Sequence, residues 1–353
     1  MKRVFLESHN IKNLNKGFGQ FNYHLIKAIS KLDFDFEIML HDSRHLLKQF
    51  KEKFTFRDYK SINKFVPVIK KVDLWHSMNQ NTRVEPLKNS TPYILTVHDI
   101  NFIEECKDPR RLGKRIEQFK SKLKRAHAIT YISNFTQTAV HDHFDVPKVP
   151  EYIIYNGNPA EDRFDHHFGK SNIPTKKPYI FSVGEFMEKK NFHTLLGMMT
   201  HLPAYKLIIA GNTNFKYHQM FMSVAKRLKL LDRIKILGTV SDHVKHIYIR
   251  HCEAFVFPSL REGFGFPPIE AMTYGKPIFL SSCTSLPEIG GTAAYYWNDF
   301  DPELMANVFI DGMKDYEQNK TARIKRIQSR ARDFSWNHSA KQYIELYKQL
   351  LSE

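Results

Sequence analysis

Short apolar runs recur along the chain with helical periodicity between them, and this alternation restricts the fold more than any other feature. Residues 3–6 (RVFL), 36–40 (FEIML), 72–76 (VDLWH), 93–97 (YILTV), 128–132 (AITYI) and 151–155 (EYIIY) read as buried strands. Phe21, Leu25, Ala28, Ile29 and Leu32 fall at helical spacing, and so do Leu112, Ile116, Phe119, Leu123 and Ala126. Strands alternating with helices imply a parallel sheet covered on both faces. The pattern stops across residues 157–178, where Gly, Pro and charge dominate, and then restarts. Further strands are expected at 179–183, 205–210, 233–237, 254–257 and 277–280. Helices are expected at 191–200, 216–230, 241–250 and 267–274. We therefore expect two doubly wound α/β domains, residues 1–160 and 179–333, joined by a linker at 161–178. Ligands of such sheets bind beyond the carboxyl ends of the strands, so a cleft between the domains is the expected site.

The chain carries 53 Lys and Arg against 37 Asp and Glu, a formal charge of +16, which favours anionic partners. Its three cysteines, Cys106, Cys252 and Cys283, form no CxxC pair and suggest no disulfide framework or zinc site. The first residues lack the apolar core of a signal peptide, and no stretch approaches the roughly 20 apolar residues of a spanning helix. A cytoplasmic setting is the expectation.

The densest constellation is 258–275, PSLREGFGFPPIEAMTYG, which follows a buried strand and leads into a helix with Pro267 and Pro268 in its first turn. The turn Gly263-Phe264-Gly265-Phe266 would offer backbone amides beside the positive helix end, a cradle for a diphosphate or for sugar hydroxyls. Glu262 and Glu270 bracket that turn. They fit hydroxyl-accepting carboxylates of one ligand, and they fit a helix cap with two solvated glutamates equally well.

The spacing from Glu262 to Glu270 is an E-x7-E signature, and its setting resembles the retaining glycosyltransferases of glycosyltransferase family 4, which have the GT-B fold. The resemblance covers almost the whole chain. In family order stand Gly17-Phe18-Gly19-Gln20, TVHD at 96–99, YISNFTQTAV at 131–140, YNGN at 155–158 and SVGEFMEKKN at 182–191. LIIAG at 207–211, ILGTV at 236–240, the E-x7-E block and SLPEIGG at 285–291 follow. FSWNHSAKQYIELY at 334–347 resembles the family's C-terminal helix, so 334–353 is expected to return to the N-terminal domain.

The resemblance implies roles for individual residues. Glu270 would hold the ribose hydroxyls of a nucleotide. Glu262, with Gly263 and the amides of Phe264, Gly265 and Phe266, would hold the donor sugar. Lys190 beside Gly184 would bind the diphosphate, His98 would face the sugar and the reaction centre, and Gly17 and Gly19 would let the first loop approach the diphosphate. Val240 marks the nucleobase. His98, Glu262 and Lys190 are the expected catalytic set. Glu185 stands where many members have an arginine, which shifts charge onto Lys190.

The implied activity is transfer of a hexose from a GDP- or UDP-linked sugar, with no cofactor and no metal, to a glycan or lipid-linked glycan. The VHD and KKN forms lean towards GDP-mannose and envelope polysaccharide such as lipopolysaccharide. A GT-B nucleotide-sugar epimerase is the alternative, and a nucleic-acid-binding protein is a more distant one. Asp33-Phe34-Asp35 and Asp299-Phe300-Asp301 spell DxD but adjoin no site motif. The Gly17 segment lacks the third glycine of a dinucleotide fingerprint. Residues 44–71 and 107–125 concentrate basic side chains. A solvated helix face and a peripheral contact with anionic lipid at the inner face of the cytoplasmic membrane account for them equally. No nucleic-acid-binding motif accompanies them.

Overall fold

A computed structural model describes residues 1–14, 16–41, 50, 52–57, 72–82, 84–86, 90–163 and 177–352. Most of the basic stretch 44–71 and of the expected linker therefore lies outside the described residues. The chain divides into two units, Met1–Gly157 with Phe334–Glu353, and Asn158–Asp333.

In the first unit the strands are β1 (Arg3–Leu6), β2 (Glu37–His41), β3 (Thr55–Arg57), β4 (Leu74–Ser77), β5 (Tyr93–Val97), β6 (Ala128–Tyr131) and β7 (Glu151–Ile153). They form one parallel sheet in the order β3-β2-β1-β4-β5-β6-β7. Its helices are α1 (Gly17–Ile29), α2 (Phe102–Glu105), α3 (Pro109–Arg125) and α4 (Asn134–His143). Ser133 caps α4 by accepting from the Thr136 amide, and Asp108 caps α3 by accepting from Arg110 and Arg111.

The second unit repeats the design with β8 (Tyr179–Val183), β9 (Lys206–Ala210), β10 (Ile234–Ile236), β11 (Ala254–Phe257), β12 (Ile278–Ser281) and β13 (Tyr295–Trp297), in the order β10-β9-β8-β11-β12-β13. Around them lie α5 (Phe192–Thr200), α6 (Lys216–Arg227), α7 (Asp242–His251), α8 (Phe266–Thr273), α9 (Leu286–Gly290), α10 (Pro302–Gln318) and α11 (Lys320–Arg332). Successive strand residues point to opposite faces, so each strand feeds two cores. Ile180, Leu207, Ile209, Val256 and Phe279 pack with α5, α6 and α10. Phe181, Ile208, Phe255, Phe257 and Leu280 pack with residues of α8 and α11. Burial on both faces is why these strands read as unbroken apolar runs.

The last helix, α12 (Trp336–Ser352), belongs to the first unit. A buried polar ladder fixes it there. His76 on β4, Thr96 on β5 and Thr130 on β6 sit on one face of the sheet. His76 bonds Tyr347 Oη through Nδ1 (2.8 Å) and Thr96 Oγ1 through Nε2 (2.7 Å), while Tyr343 Oη lies 3.1 Å from both threonine hydroxyls. An unpaired polar group at such depth would cost about 1–3 kcal/mol, so the tyrosine hydroxyls make a polar helix–sheet contact tolerable. Gly157 is needed here, because a Cβ would stand 2.2 Å from the Trp336 nitrogen.

Several expectations are corrected. Strands β3 and β13 were not read from the sequence, and most other boundaries shift by one or two residues. Gly17 and Gly19 lie in the first turn of α1 and not in a loop before it. A Cβ on Gly19 would meet the Asn13 carbonyl oxygen at 2.0 Å, so that glycine has a packing reason of its own. The DxD sequences do structural work: Asp301 caps α10, Asp299 accepts from the Asp301 amide, and Asp33 pairs with Lys53. On α3, Lys122 and Arg125 face inward to Glu85, at 2.5 and 3.4 Å, so the helix exposes fewer cations than its composition suggests.

Candidate active site

In both sheets the strand order reverses at one place, between β1 and β4 in the first unit and between β8 and β11 in the second. Loops leaving the carboxyl ends of two such strands diverge and open a crevice, the usual ligand position of a doubly wound sheet.

At the switch of the second unit, the segment after β8 holds Gly184, Glu185 and a short helical turn, Glu188–Lys190. Asn191 follows with φ 55°, turning the chain into α5. The segment after β11 holds Ser259 and Glu262. The two segments are stitched together, since the Lys189 carbonyl accepts from the Leu260 amide (2.7 Å) and from Ser259 Oγ (3.1 Å). Lys190 Nζ donates to Glu262 Oε1 at 2.5 Å, and Ser259 Oγ donates to the same oxygen at 2.6 Å. The lysine stem runs over Gly184, where a Cβ would stand 3.2 Å from its Cε, and its ammonium lies 4.8 Å from the Phe257 ring centroid. Both partners are largely buried, at 14 % and 15 % side-chain exposure, so this pair is screened far less than a surface one. Glu185 makes no side-chain hydrogen bond or ion pair among the described residues.

The turn carrying Glu262 is held from the opposite side. Thr284 Oγ1 accepts from the Glu262 amide at 3.1 Å, and Ser285 Oγ donates to the carbonyls of Glu262 and Phe264 at 3.0 and 2.9 Å. Thr284 has φ 55°, a strained conformation for a β-branched residue. Gly265, at φ 119°, begins α8 without a side-chain cap, and the helix end places positive partial charge beside Glu262. Ser259 lies in the 258–275 block and Ser285 opens SLPEIGG, yet neither was assigned a role there, and Thr284 carried no sequence signal.

Glu270, one turn into α8, is 3 % exposed. Lys245 on α7 donates to its Oε1 at 2.6 Å and pairs with Asp242 Oδ1 at 2.8 Å. Burial pulls the Lys245 ammonium down, but the two carboxylates outweigh it and hold it above the ordinary lysine value. Burial raises Asp242, while His246 and Lys245 more than reverse this and leave it well below the usual carboxylate range. Asp242, His246 and Glu270 offer three potential metal-ligand atoms within 4.8 Å of one another. The ammonium of Lys245 already bonds both carboxylates. Lys245, Asp242 and His246 were absent from the sequence reading; Glu270 was not. Val240 lies between β10 and α7, partly buried against the core.

His98 lies in the first unit, just beyond β5 and 5 % exposed. Its Nε2 lies 2.9 Å from the Met78 carbonyl, an acceptor only, so Nε2 carries the proton and Nδ1 is left as acceptor. Phe18 and Phe21 meet the ring edge-on at 4.8 and 4.7 Å. Burial lowers its pKa to about 4, against the opposing bond to Met78, so the imidazole is neutral near pH 7.

Residues 163–330 match the sequence family described as glycosyl transferases group 1. An O-antigen chain mannosyltransferase B of Escherichia coli is 29 % identical over 177 residues, 49 % of this chain and 46 % of that one. An O-antigen chain mannosyltransferase RfbU of Salmonella typhimurium is 28 % identical over 221 residues, 61 % and 58 % of the two chains. The chain thus spans about half the length of these curated relatives. A sucrose-phosphate synthase of Thermosynechococcus elongatus superposes with TM-score 0.74 at 17 % identity over all of both chains. Anabaena HepE, solved in complex with UDP and glucose, superposes with TM-score 0.72 at 18 % identity over 99 % of both.

The fold is GT-B.

The two parallel sheets are its two Rossmann-like units, and the family match falls on the GT-B unit that contains Lys190, Glu262 and Glu270. No described helix of this GT-B chain is long and apolar enough to cross a membrane.

Proposed function

We propose that this chain is a retaining, metal-independent glycosyltransferase of family 4 that transfers a hexose, mannose foremost, from a nucleotide-diphosphate sugar to a glycan or lipid-linked glycan in envelope polysaccharide synthesis. The observation that carries this reading is the Lys190–Glu262 pair, 2.5 Å apart at the switch of the second sheet, beside the glycine-led start of α8 with Glu270 inside that helix. The reaction breaks the bond from the anomeric carbon to the diphosphate and joins an acceptor oxygen to the same face. The acceptor's proton passes to the departing phosphate oxygen. Negative charge grows on the diphosphate, where Lys190 and the amides of Phe264, Gly265 and Phe266 oppose it without reorganising. Positive charge grows on the sugar, where Glu262 holds the hydroxyls. His98, neutral with an acceptor Nδ1, takes a hydrogen bond from a sugar hydroxyl and does not serve as a cation. Glu270 accepts from the ribose, and Val240 borders the base.

GDP, UDP and ADP assayed by thermal shift in EDTA test this reading. One diphosphate is expected to raise the melting temperature without added metal, with GDP the favoured one. Binding at a hundredfold its Kd would add about 2.7 kcal/mol of stability by linkage. Glu270→Ala should remove the shift. A panel with no shift, or one requiring magnesium or manganese, would sink the metal-free nucleotide site. Product analysis without acceptor would expose an epimerase, which alters the donor alone.

We also propose that α3 rests on anionic lipid at the cytoplasmic face of the membrane. Lys107, Arg110, Arg111, Lys114, Lys120 and Lys124 are exposed on and beside it, while Phe119, Lys122 and Leu123 face inward. Each cation near such a surface contributes about 1 kcal/mol. The protein should co-sediment with phosphatidylglycerol vesicles, and reversing Lys114, Lys120 and Lys124 to Glu should weaken this at least about tenfold. Equal binding to neutral and anionic vesicles would count against the contact.

A further inference from the structure

Lys245 is a partly buried cation that the activity above does not use. Its ammonium bonds Glu270 Oε1 at 2.6 Å and Asp242 Oδ1 at 2.8 Å, and Glu270 has no other hydrogen-bond partner among the described residues. The two elements that meet here are α7, which carries Asp242, Lys245 and His246, and α8, which carries Glu270. Asp242 is in turn 3.5 Å from His246 Nε2, and His246 Nδ1 is 3.1 Å from Tyr274 Oη just past the end of α8. The chain of contacts therefore runs from α8 to α7 and back. It fixes one oxygen of Glu270 and leaves Oε2 unengaged.

We propose that Lys245 is a positioning residue for nucleotide recognition: it clamps Glu270 through Oε1, so that Oε2 is aimed at the vicinal hydroxyls of a ribose. This rests on the reading of Glu270 as the ribose carboxylate and adds what makes that carboxylate selective. A carboxylate that swings freely satisfies a diol poorly, whereas one held at a single oxygen presents a directed acceptor at little entropic cost. Asp242 has a second part in this. By sharing the ammonium it keeps the positive charge of Lys245 on the carboxylates and away from the diphosphate. The excess of burial cost over hydrogen bonding that an isolated lysine would suffer is offset by two carboxylates, which is why a cation persists at this depth.

The test compares binding of a ribonucleoside diphosphate with that of its 2′-deoxy counterpart. GDP and UDP are each paired with 2′-deoxy-GDP and 2′-deoxy-UDP, and affinities are read by calorimetry on the full chain. The wild type should prefer the ribo form by at least about tenfold, since a site with a directed acceptor penalises loss of its donor. Lys245→Met should bring that ratio to within about twofold, chiefly by weakening the ribo form, and Lys245→Arg should restore part of it. Should Lys245→Met not fold, Lys245→Leu removes both the donor and the charge and is read in the same way. A ratio unchanged in the neutral variant would overturn the proposal. So would an equal loss for both forms, which would make Lys245 a phosphate contact. Glu270→Gln separates the two levels. If it keeps wild-type affinity and preference, the ribose role of Glu270 itself falls; if it loses them while Lys245→Met does not, only the clamp falls.

Discussion

Glu262→Ala is expected to lower turnover by about two to three orders of magnitude with a smaller change in KM, the cost typical of removing one preorganised electrostatic group. The geometry explains why a single carboxylate carries so much. Oε1 of Glu262 receives both the Lys190 ammonium and the Ser259 hydroxyl. Its backbone is gripped by Thr284 and Ser285, the former in a strained conformation that the loop must hold. Truncation therefore removes the group facing the sugar and releases Lys190 at the same moment. Lys190→Met should be about as damaging, mainly through the diphosphate. Because the two side chains act as a unit, the double variant should be much less than multiplicatively worse. Steady-state kinetics with the nucleotide sugar that stabilises the protein would decide this. Unchanged kinetics in both single variants would remove the site assignment, and full multiplicativity would mean that the pair does not act together.

The parts of this architecture written locally in the sequence were legible. Strands buried on both faces announce themselves as apolar runs, and the glycine turn before Pro267 marks the start of α8 because few other residues fit there. What stayed hidden depends on contacts between distant segments. Lys245 and Glu270 are 25 residues apart and meet only because α7 and α8 pack together. Ser259 and Ser285 stand inside quoted motifs and Thr284 in none, but the grip of Thr284 and Ser285 on Glu262 arises only where the loops after β11 and β12 meet. Strand β3 escaped because Thr55–Arg57 is exposed and partly polar, so no burial pattern reveals it. The inward turn of Lys122 was available in principle, since it lies three positions after Phe119 and one before Leu123 on the same helical face. Counting charge without periodicity concealed it. Gly19 was noticed for closeness to a phosphate, whereas the described contact is with the Asn13 carbonyl.

Acidification should unfold the first unit from within. Burial lowers His76 to about 3 and His98 to about 4 from an ordinary 6.5. Glu7 is fully buried, and although burial raises it, hydrogen bonds from His41 and His9 bring it down to about 2 from 4.5. All three have folded values below their unfolded ones, so in each case the unfolded chain takes up the proton first. Their stabilisation is complete above pH 6.5 and drains away as pH falls, the histidines contributing between 6.5 and about 3 and Glu7 between 4.5 and about 2. For His76 alone the full span corresponds to a loss on the order of 5 kcal/mol, against a total stability of about 5–15 kcal/mol. In the second unit the histidines that burial lowers are the exposed His193 and the partly buried His251. Hydrogen exchange at β4 to β6, followed from pH 8 to pH 4, should therefore accelerate before exchange at β8 to β12. His76→Gln, which can still bond Tyr347 or Thr96 but does not titrate, should flatten the slope between pH 6.5 and pH 4 while costing some stability at pH 8. A first unit whose protection is indifferent to pH across that range would show that the ladder beneath α12 accommodates the extra proton. The buried histidines would then not be the acid-sensitive element of the fold.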